Sequence, residues 1–150
     1  MRFYPAGIAA LLIATSAVSG CGKNQQANTP KIRYGQDTCN SCRMIISEPS
    51  FAAAYRLISG EWRLFDDIGC LLKALKQEVV PPEKVLVHDY ESGAWTDAAT
   101  ATFVVSRQLV TPMGYGFAAF IAASTAETFA RAQSGEIKSF AVITSQEGSQ

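Results

Sequence analysis

Cys39-Asn40-Ser41-Cys42-Arg43-Met44 places three sulfur atoms within six residues. Sulfur at that density serves a soft metal ion or a thiol redox reaction. Cys39 lies across a tight turn from Cys42, a spacing that lets two thiolates converge. In an extended strand Cys42 and Met44 would share a face, and their sulfurs would meet one ion. Thiolate with thioether suits Cu(I) better than Zn(II), which rarely takes Met. A structural Cys39–Cys42 disulfide, or Met44 packed as ordinary core, explains the same residues without a metal.

Five further residues carry chemistry-bearing groups. Cys70 falls nearly opposite the Ile68/Leu71/Leu72/Leu75 stripe at 100° per residue, so that stripe does not require it. It either faces the cysteine cluster, as a metal or redox group, or is a small buried residue. Met113 sits between Pro112 and Gly114 in a turn, where an exposed thioether is a candidate soft ligand. His88 is the only histidine, which excludes a two-His zinc site within one chain. It reads as a ligand, a proton shuttle or, more simply, a hydrogen-bonded structural residue. Asp66-Asp67 reads as helix capping rather than as an acid/base pair. No nucleophilic triad, phosphate loop or dinucleotide fingerprint is present.

The elements that must position these groups begin after a leader. Residues 1–20 read as a lipoprotein signal peptide, with Arg2 before the apolar run Ala6 to Val18. Val18-Ser19-Gly20-Cys21 resembles a bacterial lipobox, which makes Cys21 the lipidation site. The expected location is a membrane lipoprotein facing the periplasm, with Gly22 favouring the outer membrane. Residues 21–36 are polar and aperiodic and read as a lipidated, flexible tether. Thirteen acidic and thirteen basic residues cancel, with no basic patch, which argues against a nucleic-acid partner. Beyond Cys21 three thiols remain, an odd number that does not close a disulfide framework.

The hydrophobic pattern predicts an α+β domain over 37–145, followed by a flexible tail at 146–150. Phe51 to Ile58 and Glu61 to Phe65 predict a hairpin across Ser59-Gly60. Ile68, Leu71, Leu72 and Leu75 predict a helix, and Pro81-Pro82 stop it. Val85-Leu86-Val87 closes the first unit, at about 37–92. The second unit, 93–145, repeats the order. Ala101 to Val110 and Phe117 to Ile121 are strand-like. Ser124-x-x-Glu127 reads as a capping box, Gly135 as the helix stop, and Lys138 to Ile143 as a last strand. Two similar ββαβ units packed together are the expected architecture.

Taken in order, these motifs resemble the NosL family, lipid-anchored copper-binding proteins associated with nitrous oxide reductase maturation. The resemblance rests on Cys39-x-x-Cys42-x-Met44, Phe65-Asp66-Asp67-Ile68-Gly69-Cys70, Ala101-x-Phe103-Val104 and Thr111-Pro112-Met113-Gly114, with Gly116, Ala119 and Phe120 after it. It implies a Cu(I) carrier rather than an enzyme, with ββαβ units like those of an organomercury lyase. It implies Cys42 and Met44 as ligands, Met113 as a ligand from the second unit, and Cys39 and Cys70 as additional sulfurs. On that reading, Cys42→Ser weakens Cu(I) binding more than Cys70→Ser. The implied partner is a copper-accepting enzyme, nitrous oxide reductase in the first instance. Arg43 departs from the family, where Gly is common between Cys and Met. Arg beside a thiolate would also lower its pKa. Two alternatives remain at this point: a thiol–disulfide redox protein using Cys39 and Cys42, and a structural lipoprotein.

Overall fold

A computed structural model of the chain describes residues 28–146. The signal peptide, Cys21 and residues 147–150 lie outside them. Two antiparallel sheets form the frame. The first unit contributes β1 (Ala53–Arg56), β2 (Trp62–Phe65), α1 (Ile68–Leu75), β3 (Lys84–His88) and β4 (Trp95–Asp97), with strand order β2-β1-β3-β4. The second contributes β5 (Thr102–Val105), β6 (Phe117–Phe120), α2 (Ala123–Ala132), β7 (Glu136–Ser139) and α3 (Phe140–Gln146), with order β6-β5-β7. In each unit the first strand is central, its hairpin partner lies on one side, and the strand after the helix lies on the other. That is the expected ββαβ arrangement, twice.

Several local expectations are corrected. The first strand is shorter than 51–58, because Pro49 opens a 3-10 turn over Pro49–Phe51. β4 was not expected; it is a three-residue edge strand paired to Leu86–His88 after a turn at Gly93, where φ is 67°. The last strand begins earlier, at Glu136, and Phe140 to Ile143 belong to α3 instead. The capping box is not used: α2 starts at Ala123, its N-cap is Ala122, and no side chain caps it. At the other end of α2 the left-handed residue is Ser134, φ 49°, not Gly135. Gly135 donates its N–H to the Ala130 carbonyl at 2.8 Å, closing a Schellman-type end. A Cβ at Gly135 would crowd Val104 and the Val105 carbonyl, so this glycine serves close packing on β5.

The tether reading also fails for residues 28–36. Pro30 is buried and Ile32 packs on the core. The Lys84 ammonium donates to the Asn28 carbonyl at 3.2 Å. Tyr34 OH meets His88 Nε2 at 3.0 Å. This segment therefore runs beside β3 from its Lys84 end to its His88 end, and delivers Cys39 to the edge of the sheet.

One core joins the units. Phe65, Ile68, Leu71, Leu72 and Val87 from the first pack with Phe103, Phe117, Ala119 and Ile143 from the second. Burying a side chain of that size contributes roughly 1.5–3 kcal/mol. Asp89 stitches the sheets: the next amide, Tyr90 N–H, donates to Ala119 O at 2.8 Å, and Asp89 Oδ1 accepts from Ile121 N–H at 2.8 Å. Because the units share this core, the two sulfur-bearing turns, one from each unit, are held at fixed separation.

Candidate metal centre

Cys39, Cys42 and Cys70 are free thiols, and one donor atom from each, with a carboxylate oxygen of Asp66, lies within 4.8 Å of every other. Three segments build this group. The first is the loop from Thr38 to Ile45, which pair as a bridge at its base. Cys39 N–H donates to Met44 O at 2.8 Å, and Arg43 N–H to Cys39 O at 3.1 Å. The loop is a tight turn, not the extended strand that would put Cys42 and Met44 on one face. Arg43 takes φ 68° there, a left-handed conformation that Gly adopts more readily.

Asn40 fastens the loop to the open edge of β2. Its N–H donates to Leu64 O at 2.8 Å, and its Oδ1 accepts from Leu64 N–H at 2.7 Å. The second segment is the end of β2, which leads into Asp66. The third is the first turn of α1, which carries Cys70. Asp67 alone is the N-cap, with Oδ1 accepting from Gly69 N–H at 2.8 Å. Asp66 is freed from capping and turned to the thiols, where Oδ1 accepts from Cys42 Sγ–H at 3.3 Å.

The start of α1 is buried all round, Ile68 through Leu72, rather than along one stripe. The cysteine loop covers its Cys70 side, and Tyr115 covers Gly69, where a Cβ would overlap the ring. Cys70 is therefore buried among the other thiols, not a filler on an idle face.

The electrostatics separate the three sulfurs. Cys39 is lowered to about 6, chiefly because the Cys70 thiol hydrogen-bonds to its thiolate, with the Cys42 backbone N–H helping at 3.5 Å. Cys70, the donor in that bond, is pushed up accordingly, and burial adds to the effect. Cys42 is raised to about 11, first by burial and also by its neighbours Cys39 and Asp66. At neutral pH the group holds one thiolate and two thiols. Arg43 plays no part in these shifts; its side chain lines a separate polar hollow with Arg63 and Lys73.

Around one ion at a metal–sulfur distance of about 2.3 Å, three sulfurs stand about 4 Å apart. The donors present fit such an ion with a contraction of under about 1 Å. A thiolate-rich set with two displaceable protons is suited to a soft cation. Asp66 Oδ1, which accepts the Cys42 Sγ–H, would orient that sulfur toward such an ion.

Met44 and Met113 are exposed. They line one cleft of about 540 Å³, and Asp66 is part of its wall. The Met113 turn is tied to the first unit by Asp67: Oδ2 accepts from Thr111 Oγ1–H at 2.6 Å and from Met113 N–H at 3.0 Å. The structure thus brings Cys39, Cys42 and Cys70 together and sets Met44 and Met113 in a cleft that shares Asp66 with them. Asp66 is the donor that the sequence reading missed. Its signal was the Asp-Asp pair itself, since one helix has one N-cap and the second carboxylate needs another role.

His88 is structural. Its Nδ1 lies 2.6 Å from Gly93 O, which only accepts, so Nδ1 carries the proton and Nε2 accepts from Tyr34 OH. Burial lowers its pKa and keeps it neutral. Both ring nitrogens are used, and none is left for a metal.

The sequence model of the NosL family matches residues 32–147. Among solved structures, the chain is similar to the copper chaperone NosL from Shewanella denitrificans, with a TM-score of 0.67 and 23% identity over 75% of this chain and 92% of that one. At that identity the likeness shows the fold. No curated protein sequence matches.

Proposed function

The chain belongs to the NosL family, and from that we propose that it binds Cu(I) as cargo and hands it to a copper-requiring enzyme, nitrous oxide reductase being the first candidate. The supporting observation is the gathering of Cys39, Cys42, Cys70 and Asp66 within 4.8 Å, beside a cleft lined by Met44 and Met113. Thiolates hold a soft ion tightly; thioethers hold it loosely and carry no charge. A buried thiol site with exposed methionines at its side gives a path for transfer, in which a partner's ligands replace those of the carrier one at a time. Binding through all three sulfurs would release the Cys42 and Cys70 protons to solvent, the first leaving past Asp66 Oδ1, which accepts its hydrogen bond.

The chain works, on this reading, as a lipoprotein anchored through Cys21 and facing the periplasm, on the outer membrane. Its role is carriage rather than catalysis.

Asp66 favours one competing occupant. A carboxylate beside three thiolates also suits a divalent ion such as Zn(II). Anaerobic titration of the reduced chain from Gly22 to Gln150 with Cu(I), against a chromophoric chelator, and with Zn(II) in parallel, decides between them. Tight one-to-one Cu(I) uptake with weak zinc binding supports the carrier. Preference for zinc, or no uptake of Cu(I) beyond that of the chelator, overturns it.

A further inference from the structure

The tip of the first unit farthest from the thiols carries an apolar surface. Ile58 is 71% exposed on the β1–β2 turn, and Val79 and Val80 are 95% and 54% exposed on the loop after α1. With Leu57 and Pro81 they line one hollow. The turn is fixed, not frayed: Leu57 N–H donates to Glu61 O at 2.9 Å, and Gly60 N–H to Leu57 O at 2.8 Å. Adjoining exposed aliphatics on ordered loops mark a contact surface.

Two observations identify what it contacts. The first is where the chain enters the fold. Arg56 pairs with Trp62 and with Lys84, so the Lys84 end of β3 lies at the Ile58 tip. Asn28, the first described residue, is held there by the Lys84 ammonium at 3.2 Å. Only six residues lie between Cys21 and Asn28, seven Cα–Cα steps in all. Fully extended they span about 25 Å. A lipid on Cys21 therefore keeps this tip close to the bilayer. The second observation is charge. Arg56 pairs with Glu83 at 2.9 Å and Arg63 with Glu61 at 3.2 Å, and Tyr55 OH donates to Glu78. Arg56 and Arg63 are thus matched by carboxylates, while Glu78 and Lys84 keep their charges and would sit among the headgroups as Ile58, Val79 and Val80 enter the interface.

The metal group lies at the opposite end. Ala53 pairs with Phe65 there, just before Asp66, and α1 runs from Cys70 near the thiols toward Val79. We propose that Ile58, Val79 and Val80 form a membrane-contacting tip that stands the domain on the lipid bilayer, with the thiol group and the methionine cleft pointed away toward partners in the aqueous phase. This rests on lipidation of Cys21. The membrane then acts as an orienting surface, not only as an anchor point.

The test uses the full lipidated chain on zwitterionic phosphatidylcholine vesicles whose acyl chains carry bromine, a contact quencher of tryptophan. V79W and I58W place the probe on each loop of the tip. V110W, at a position 87% exposed beside the methionine cleft, is the control. Emission of each variant is compared with that of the unsubstituted chain, which carries Trp62 and Trp95. The added emission of V79W and I58W is expected to fall at least about twofold on brominated vesicles, with V110W unaffected and the result insensitive to salt. A chain that fails to float with vesicles overturns the anchor and the proposal with it. A chain that floats with both tip probes unquenched, or with V110W quenched equally, overturns the proposal alone. Concentration-dependent burial of V79W without vesicles would assign the tip to a second copy of the chain and overturn it as well.

Discussion

Asp67 caps the helix that carries Cys70 and, 46 residues along the chain, accepts the backbone N–H of Met113 at 3.0 Å. One fully buried carboxylate thus fixes the start of α1 and the methionine turn of the other unit to each other. The distance between thiols and thioethers is set by a side chain that need not touch the metal.

Removing that carboxylate loosens both. Asp67→Ala leaves Gly69 N–H, Thr111 Oγ1–H and Met113 N–H without their acceptor. It is expected to cost about 3 kcal/mol of stability. Denaturant unfolding reads the loss, and amide exchange at residues 111–114 reads the loosened turn; an unchanged midpoint would show that water replaces the carboxylate at no cost.

Gly69 lies under the Tyr115 ring, with no room for a Cβ. Gly69→Ala is expected to destabilise by about 1–3 kcal/mol through overpacking. The double variant Gly69→Ala/Tyr115→Ala should lose less than the two single losses added together, which a double-mutant cycle measures.

Arg43 holds φ 68° and faces away from the thiols. Arg43→Gly should therefore stabilise the fold by up to about 1 kcal/mol, the relief of left-handed strain being partly offset by unfolded-state entropy. Thiolate titration should be the same in both proteins. A shifted titration would restore a direct influence of Arg43 on the cysteines.

The metal-free protein should show one thiolate, by its ultraviolet absorbance, with a midpoint at about 6, and further thiolates only toward about 11 and above. The linkage has a definite sign. Cys39 is depressed in the folded state, so its contribution is present above the unfolded thiol value of about 9 and is lost as pH falls through 6. Cys42 is raised, so its contribution is present below about 9 and is lost as pH rises through 11. Over the thiol range, stability of the metal-free chain should climb from pH 6 to about 9 and fall beyond it. Thermal unfolding across that range, repeated with Cys39→Ser, checks the rising limb.

All three thiols belong to one group within 4.8 Å, so the expectation that Cys42→Ser outweighs Cys70→Ser is set against a reading in which every sulfur holds the ion. Each Cys→Ser variant should lose at least about a hundredfold in Cu(I) affinity, and Asp66→Asn about tenfold, as an outer partner does. Competition titrations rank them. An Asp66→Asn loss equal to the cysteine losses would make the carboxylate a direct ligand and point to a divalent ion.

The sequence by itself determined the repeated hairpin–helix–strand order, the approach of Cys39 to Cys42, and the helix that carries Cys70. These follow from local rules: side-chain period, turn-forming residues and the short reach of a four-residue loop. It also marked the Thr111–Gly114 turn. The tertiary structure decided the rest. Period told which face of α1 was apolar, but not that the cysteine loop would cover the other face and draw Cys70 into the site. Two adjacent aspartates were equivalent in sequence. Only the backbone entering α1, with Asp67 extended as N-cap, sent one to the helix and the other to the thiols. The edge strand Trp95–Asp97 and the docking of residues 28–36 escaped because short polar segments acquire structure from the surface they meet. Local pattern records how strongly a residue is driven from water; which neighbour receives it depends on the packing of the two units.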